Sequence, residues 1–479
     1  MAAPAPAVTP MAIDISLPRF PPPLAGRDIL PPREFAARMR QNVLAAFSER
    51  AFEDEVLSRR LFGREQLTLN RPAAIRHVLI DNADNYRRSA ATVRLLYPIV
   101  GRGLFLAEGE DWREQRRTVA PSFAPRTLPM LARHVAGVAG ELAATLAAEE
   151  GEIDLLDHMH RLAIEVAGRA MFSLEMDAFA PRMREMLRDY GARLARPSAL
   201  DILLPSWLPA PQDLARWRFR RHWLGLIDEI VAARQARVTA GAPRDLLDLM
   251  ATDPETGRKV PRRRLADQVA TMIAAGHATT AVALFWSFYL LAAAPDVQQR
   301  IAAEAASLDL GPEGAAEALP HLTYTRAVVQ EALRLYPPAY GIFRVARAAD
   351  EADGVSIPKG AIVMIAPWLL HRHRRLWAEP DVFDPGRFLP GAPSPDRFAY
   401  LPFGIGPRIC IGAQFALTEA TLVLARLVRQ FEIARADDRP VVPVAAITVR
   451  PDHPPPFRLR PRAVPLSNDP GTAASCSGR

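Results

Sequence analysis

Apolar residues recur at three- and four-residue spacing through most of the first 340 positions, as in Leu155, Met159, Leu162 and Val166. That repeat belongs to helices with one buried face. It predicts helices over about 32–50, 71–83, 109–118, 125–149, 153–174, 179–195, 211–240, 244–251, 262–294, 295–306, 322–336 and 411–431. Residues 55–70 are strand-like, and 86–108 is loop-rich with room for one short helix. Short apolar runs broken by Gly and Pro at 342–366, and again at 433–460, read as strands. Residues 378–409, rich in Pro, Gly and Asp, read as a long meandering loop. No repeat and no linker divides the chain. The expectation is a mainly α fold with minor β-sheets, as one domain over 31–460. A Pro-rich segment (1–30) precedes it and a tail (461–479) follows.

From Gln268 to Pro295 there is no Asp, Glu, Lys or Arg. The length would allow a membrane span. His277, Thr279, Thr280 and Ser287 interrupt the stretch, and it has no companion, so it reads as a buried helix. No transmembrane anchor and a cytoplasmic location are expected, since the N-terminus lacks a signal-peptide pattern. Composition is ordinary for a globular chain, with 49% hydrophobic and 24% charged residues. The net charge of +7 comes from interleaved bases and acids, which excludes a nucleic-acid footprint. Two cysteines, Cys410 and Cys476, exclude a disulfide framework and fit a reducing compartment. Cys476 lies in the small-residue tail and reads as incidental.

Cys410 is different. It follows a Gly/Pro-rich loop, Phe403-Gly404-Ile405-Gly406-Pro407-Arg408-Ile409-Cys410-Ile411-Gly412, and opens a helix. A helix N-terminus favours the thiolate, suited to ligate a metal or act as nucleophile. Arg408 is placed to pair with a cofactor carboxylate. Taken alone, the cysteine reads first as a buried free thiol at a helix cap.

The spacing F-G-x-G-x-R-x-C-x-G resembles the heme-binding signature of the cytochrome P450 family, matched at Phe403, Gly404, Gly406, Arg408, Cys410 and Gly412. Three further segments resemble family motifs in the family's order. Glu331-Ala332-Leu333-Arg334 resembles its E-x-x-R, and Arg387, in Asp384-Pro385-Gly386-Arg387-Phe388, its completing arginine; their implied role is structural. Ala275-Gly276-His277-Ala278-Thr279-Thr280 resembles the oxygen-binding motif, with Ala278 where the family has an acid. Trp112-Arg113-Glu114-Gln115-Arg116 resembles a W-x-x-x-R that reaches a heme propionate. Arg344 is a further propionate candidate, and Arg113 and Arg117 are candidates to face a redox partner.

The resemblance implies the P450 fold, with heme b between the long 262–294 helix and the Cys410 loop with its helix. Cys410 is then the axial iron ligand, a thiolate that promotes O–O cleavage. Gly276 leaves room beside a distal ligand, and the Thr279 hydroxyl handles a proton. His277 falls on nearly the opposite helix face and reads as a core histidine. The implied reaction inserts one atom of O2 into a hydrophobic small molecule, with electrons from a separate ferredoxin or flavodoxin. Substrate contacts are expected from Leu96, Tyr97, Ile99, Ile273, Ala275, Ala339, Tyr340 and Ile342. Two alternatives stay open: a peroxide-using or rearranging enzyme, given Ala278, and a non-catalytic heme-thiolate sensor.

Overall fold

In the computed structural model, the described residues are 17–462, apart from 29, 62, 196, 197, 199, 202, 203, 205, 206, 237–244, 253–256 and 446. Cys476, most of the expected N-terminal segment and nearly all of the C-terminal tail lie outside them.

The helix Arg262–Ala292 runs through the middle of the fold. Leu155–Phe172, Thr323–Leu335 and Ala413–Gln430 pack against it. Its C-terminal half (Ala281–Leu291) enters one hydrophobic core, where Trp286 stacks on Tyr336 with ring centroids 4.0 Å apart. Its N-terminal half (Ala266–Ile273) enters a second core around Trp223, in the helix Asp213–Ala236. Among the described residues this is the one helix long and apolar enough to cross a membrane, and most of that stretch is buried inside the protein. Several of its polar residues are satisfied there. Thr271 Oγ1 donates to Asp267 O (2.7 Å) and Ser287 Oγ to Ala283 O (2.8 Å), bonds that keep hydroxyls within their own helix. Asp267 accepts from Arg220 at 2.7 Å. Between the two cores the middle turn opens: Ala275 and Gly276 are exposed, and Ala278 and Thr279 are half-buried.

A five-stranded sheet holds the other side. Its order is β1 (Val56–Leu61), β2 (Arg64–Leu69), β7 (Ile362–Ile365), β4 (Ile342–Ala346) and β3 (Tyr86–Arg87). β2 pairs with β7 in parallel, Gln66 opposite Ile362; the other pairings are antiparallel. β5 (Asp350–Ala352) and β6 (Val355–Ile357) form a hairpin whose turn residues Asp353 and Gly354 both have positive φ, +51° and +74°. A two-residue hairpin turn of this hand requires that, which explains the Asp-Gly pair. β8 (Phe431–Arg435) pairs with β11 (Phe457–Pro461), and β9 (Pro443–Ala445) with β10 (Val449–Pro451).

Two expectations change. The helix expected over 32–50 ends at Gln41. Asn42 is extended, its side chain accepting from Leu44 N–H (3.1 Å) and donating to Pro443 O (2.9 Å), so local polar bonds outbid the helix ladder. The loop-rich 86–108 stretch contains a full helix, Ala90–Val100, started by Ser89 Oγ accepting from Thr92 N–H (3.1 Å).

Candidate active site

The Cys410 loop is a folded turn, not a tether. Cys410 N–H donates to Phe403 O at 2.9 Å and Ile409 N–H to Gly406 O at 3.1 Å. Gly406 has φ +78°, and a Cβ there would stand 2.3 Å from the Leu79 carbonyl oxygen, so backbone hand and close approach both demand glycine. Arg116 Nη1 donates to Ile409 O at 2.7 Å, beside the thiol. Burial pushes the Cys410 thiol above its ordinary range, while the Gly412 N–H and the Arg116 charge pull the other way. This corrects the expectation of a thiol lowered by its helix N-terminus: burial outweighs the dipole. Coordination to a metal would reverse the balance, since a ligating thiol is deprotonated outright. Protein rings the Cys410 side chain closely enough to desolvate it, yet it keeps accessible surface, as does Ile409 at 39%. The side chain is thus both accessible and closely surrounded.

Gly276 faces open space: an added Cβ would meet nothing within 4 Å. Thr279 Oγ1 donates to Ala275 O at 2.5 Å. His277 points away from that turn. It is buried against helix Leu155–Phe172, one ring nitrogen 3.1 Å from His160 Nδ1 and the other, Nδ1, without a partner. It is therefore a half-satisfied core histidine, and burial holds its pKa well below the ordinary value.

Beside the loop lies a group of cations. Arg408 donates to Ala107 O (2.8 Å) and Glu108 (2.9 Å) and lies over the Trp112 ring, 4.6 Å from its centroid. Arg88, which no motif marks, donates to the same Glu108 at 3.0 Å. Arg344 donates to Phe343 O at 3.0 Å and faces Arg408. Burial, and then the neighbouring arginines, push Arg88 down to about 9 and Arg344 down to about 10. Arg88 and Arg408 share the Glu108 carboxylate, Arg344 stands beside them and Asp84 lies within reach of Arg408, so the three arginines leave surplus positive charge in a partly dry place. A ligand with two carboxylates, as heme has in its propionates, fits that surplus. The thiol, open Gly276 and this cluster together suit a flat, iron-bearing dianion. Arg116, expected beside a propionate, is bonded to the cysteine loop through Nη1. Arg113 pairs on the surface with Glu110.

Glu331 and Arg334 are both 0% exposed. Arg334 clasps the carboxylate through Nε (2.6 Å) and Nη2 (2.7 Å) and donates to the carbonyls of His371 (2.9 Å), Pro380 (2.6 Å) and Val382 (2.9 Å). Asp384 N–H donates to Glu331 at 2.8 Å. Arg387 stands 3.5 Å from Glu331 and donates to Glu379 O at 2.9 Å. The helix is thus bound to the meander ahead of the cysteine loop.

The expected substrate residues divide. Ala275 and Ala339 have open surface, while Leu96, Tyr97, Tyr340 and Ile342 are half-buried. Ile342 touches the cysteine loop, its Cδ1 lying 3.8 Å from the Cβ position of Gly404. Ile99 and Ile273 are packed into the second core instead. Arg88 is the residue that sequence reasoning missed, because only the pairing of β3 with β4 brings it near Arg344.

A family model described as cytochrome P450 matches residues 21–454. The chain is 35% identical over 341 residues to cyclooctat-9-en-7-ol 5-monooxygenase of Streptomyces melanosporofaciens, covering 70% of this chain and 73% of that one. It is 33% identical over 368 residues to pentalenene oxygenase of Streptomyces avermitilis, covering 76% and 80%. The crystal structure of the cytochrome P450DA heme domain superposes with a TM-score of 0.77 at 24% identity, over 91% of this chain and 97% of that one. With that fold, the cysteine loop and these relatives, the chain belongs to the cytochrome P450 family of monooxygenases.

Proposed function

We propose that this chain hydroxylates a cyclic terpenoid at a heme b held by Cys410, drawing electrons from a separate ferredoxin or flavodoxin in the cytoplasm. When bound, the heme supplies activation of O2 and insertion of one oxygen atom into a carbon–hydrogen bond. The observation that carries the reading is the Cys410 thiol, closely surrounded by protein yet accessible, at the end of the folded Phe403–Cys410 loop. The Gly412 N–H and the Arg116 guanidinium favour its anion. Arg88, Arg344 and Arg408 would hold the propionates, with Trp112 stacked under Arg408. The Glu331–Arg334 pair, with Arg387, would keep the meander in register with the loop. Gly276 would leave room for O2. The Thr279 hydroxyl, which donates to Ala275 O, would be able to turn its proton to a ligand at that turn. Ala278 cannot hold a proton, so Thr279 and solvent would carry that work. Ala275, Ala339 and Ile342 would offer an apolar substrate wall. Two relatives named for cyclic terpene substrates support the substrate class.

The test is the spectrum of the reduced, carbon monoxide-treated holoprotein. A long-wavelength band that Cys410→Ala abolishes is expected; a spectrum unchanged by that substitution would refute the ligand. Cyclic terpenoids should then shift the Soret band and yield hydroxylated product with a ferredoxin system. Ala278 also supports a second reading, turnover with hydrogen peroxide and no reductant, which a direct assay decides.

A further inference from the structure

At the end of the five-stranded sheet where β2 and β7 begin, the surface is concave. A groove of about 380 Å³ lies there, between β1 and β2, β3 and the 358–361 turn that leads into β7. That volume suits a small ligand. Two of its lining residues, Val345 and Ala361, are buried, and a Cβ on Gly360 would meet nothing within 4 Å. The charged lining is one-sided. Arg60, Arg64, Arg87 and Lys359, all exposed, surround the groove, and Glu65 is the one acid among its described lining residues.

Exposed arginines are ordinary one at a time. Here bases from three separate stretches of chain converge, and they meet only because β1 pairs with β2, β2 with β7, β7 with β4 and β4 with β3. Among the described residues, none of the four side chains has a hydrogen bond or an ion pair. Arg60 and Glu65 are register partners across β1 and β2, yet the Glu65 carboxylate accepts from Ser58 Oγ at 3.0 Å. Nearby arginines outside the groove do find carboxylates: Arg71 lies 2.8 Å from Glu55, and Arg88 lies 3.0 Å from Glu108. Like charges gathered without a counter-ion repel one another and weaken the fold. An anion in the groove would remove that repulsion.

Four cations against one carboxylate leave a surplus of three, more than one phosphate group neutralises. We propose that the groove binds an oligophosphate, a small free molecule with two or three linked phosphate groups. The planar fork of arginine meets two phosphate oxygens at once, and lysine adds a compact point charge. A ligand spanning Arg60, Arg87 and Lys359 ties β1, β3 and the turn into β7 together, so it stabilises the native sheet by mass action. The site is separate from the cysteine loop and does not rest on the terpenoid reading.

The test is isothermal titration of full-length holoprotein with pyrophosphate, and with adenosine diphosphate, which carries the same group on an organic body. Both are expected to bind at least about tenfold more tightly than inorganic phosphate, because they engage more of the cations at once. Both should also raise the melting temperature. Equal affinities would assign the groove to the phosphates alone, and tighter binding of the nucleotide would add a contact to the rest of the molecule; either supports the proposal. Arg60→Gln/Arg87→Gln should weaken binding at least about tenfold. Arg133→Gln/Arg182→Gln makes the same charge change on helices outside the groove and should leave affinity within about twofold, since distant surface charges are screened. Unchanged far-UV circular dichroism and heme content keep misfolding out of the comparison. Weak binding shared alike by sulfate, phosphate and pyrophosphate would mean an adventitious ion only and would overturn the proposal. So would an affinity indifferent to Arg60→Gln/Arg87→Gln, or one weakened equally by the control pair.

Discussion

Replacing Glu331 with alanine tests the pair that binds the Thr323–Leu335 helix to the meander. The substitution leaves the Arg334 guanidinium charged at 0% exposure, with three carbonyls but no counter-ion. Stripping one partner from a buried ion pair costs about 3–5 kcal/mol. The Asp384 N–H also loses its acceptor, for about 1 kcal/mol more. The expected total of about 4–6 kcal/mol is a large part of the 5–15 kcal/mol by which domains are stable. Urea denaturation followed by circular dichroism should show the shift, and the fraction of protein with the long-wavelength carbon monoxide band should collapse with it. The double variant Glu331→Leu/Arg334→Met should recover much of the loss, because two apolar residues leave no charge unpaired. A Glu331→Ala protein within about 1 kcal/mol of wild type, fully loaded with heme, would refute the reasoning, for a buried arginine would then need no partner.

Other outcomes follow from the same structure. Arg88→Gln removes one of three mutually repelling cations, so the heme-free protein should melt no lower than wild type, while heme transfer to an acceptor globin should quicken by about tenfold, one charged hydrogen bond's worth. Burial holds His371 down to about 3, where its Nε2 accepts from Leu401 N–H at 2.8 Å. The unfolded chain takes up that proton near pH 6.5 and the native one does not until about 3, so stability should fall as pH drops across that window, by about 1.4 kcal/mol per unit. Buried His277 adds a slope of the same sign. His371→Gln, which keeps an acceptor, should flatten the urea midpoint between pH 6 and pH 4; an unchanged slope would place the titrating groups elsewhere. Ala278→Glu should raise the share of electrons that end in product if proton supply at Thr279 limits turnover, as product formed per electron donor oxidised would show.

What the sequence determined by itself was local. Helix periodicity placed the stretch read as 153–174 at Leu155–Phe172 and the one read as 262–294 at Arg262–Ala292, because burial on one face repeats every 3.6 residues whatever the partner. Residues that act within one short segment were legible for the same reason: the cysteine loop closes on itself from Phe403 to Cys410, and Glu331 meets Arg334 one turn away. Tertiary structure decided everything that joins distant segments. Asn42 broke an expected helix by bonding Pro443, and Arg88 joined Arg344 and Arg408 only once β3 paired with β4. Ile99 and Ile273 turned into the core while Ala275, two residues on, faced open space. The direction of the Cys410 shift was settled the same way. A helix end is written in the sequence, but desolvation is set by how many atoms of the rest of the chain crowd the sulfur, and that sum exists only in the folded state.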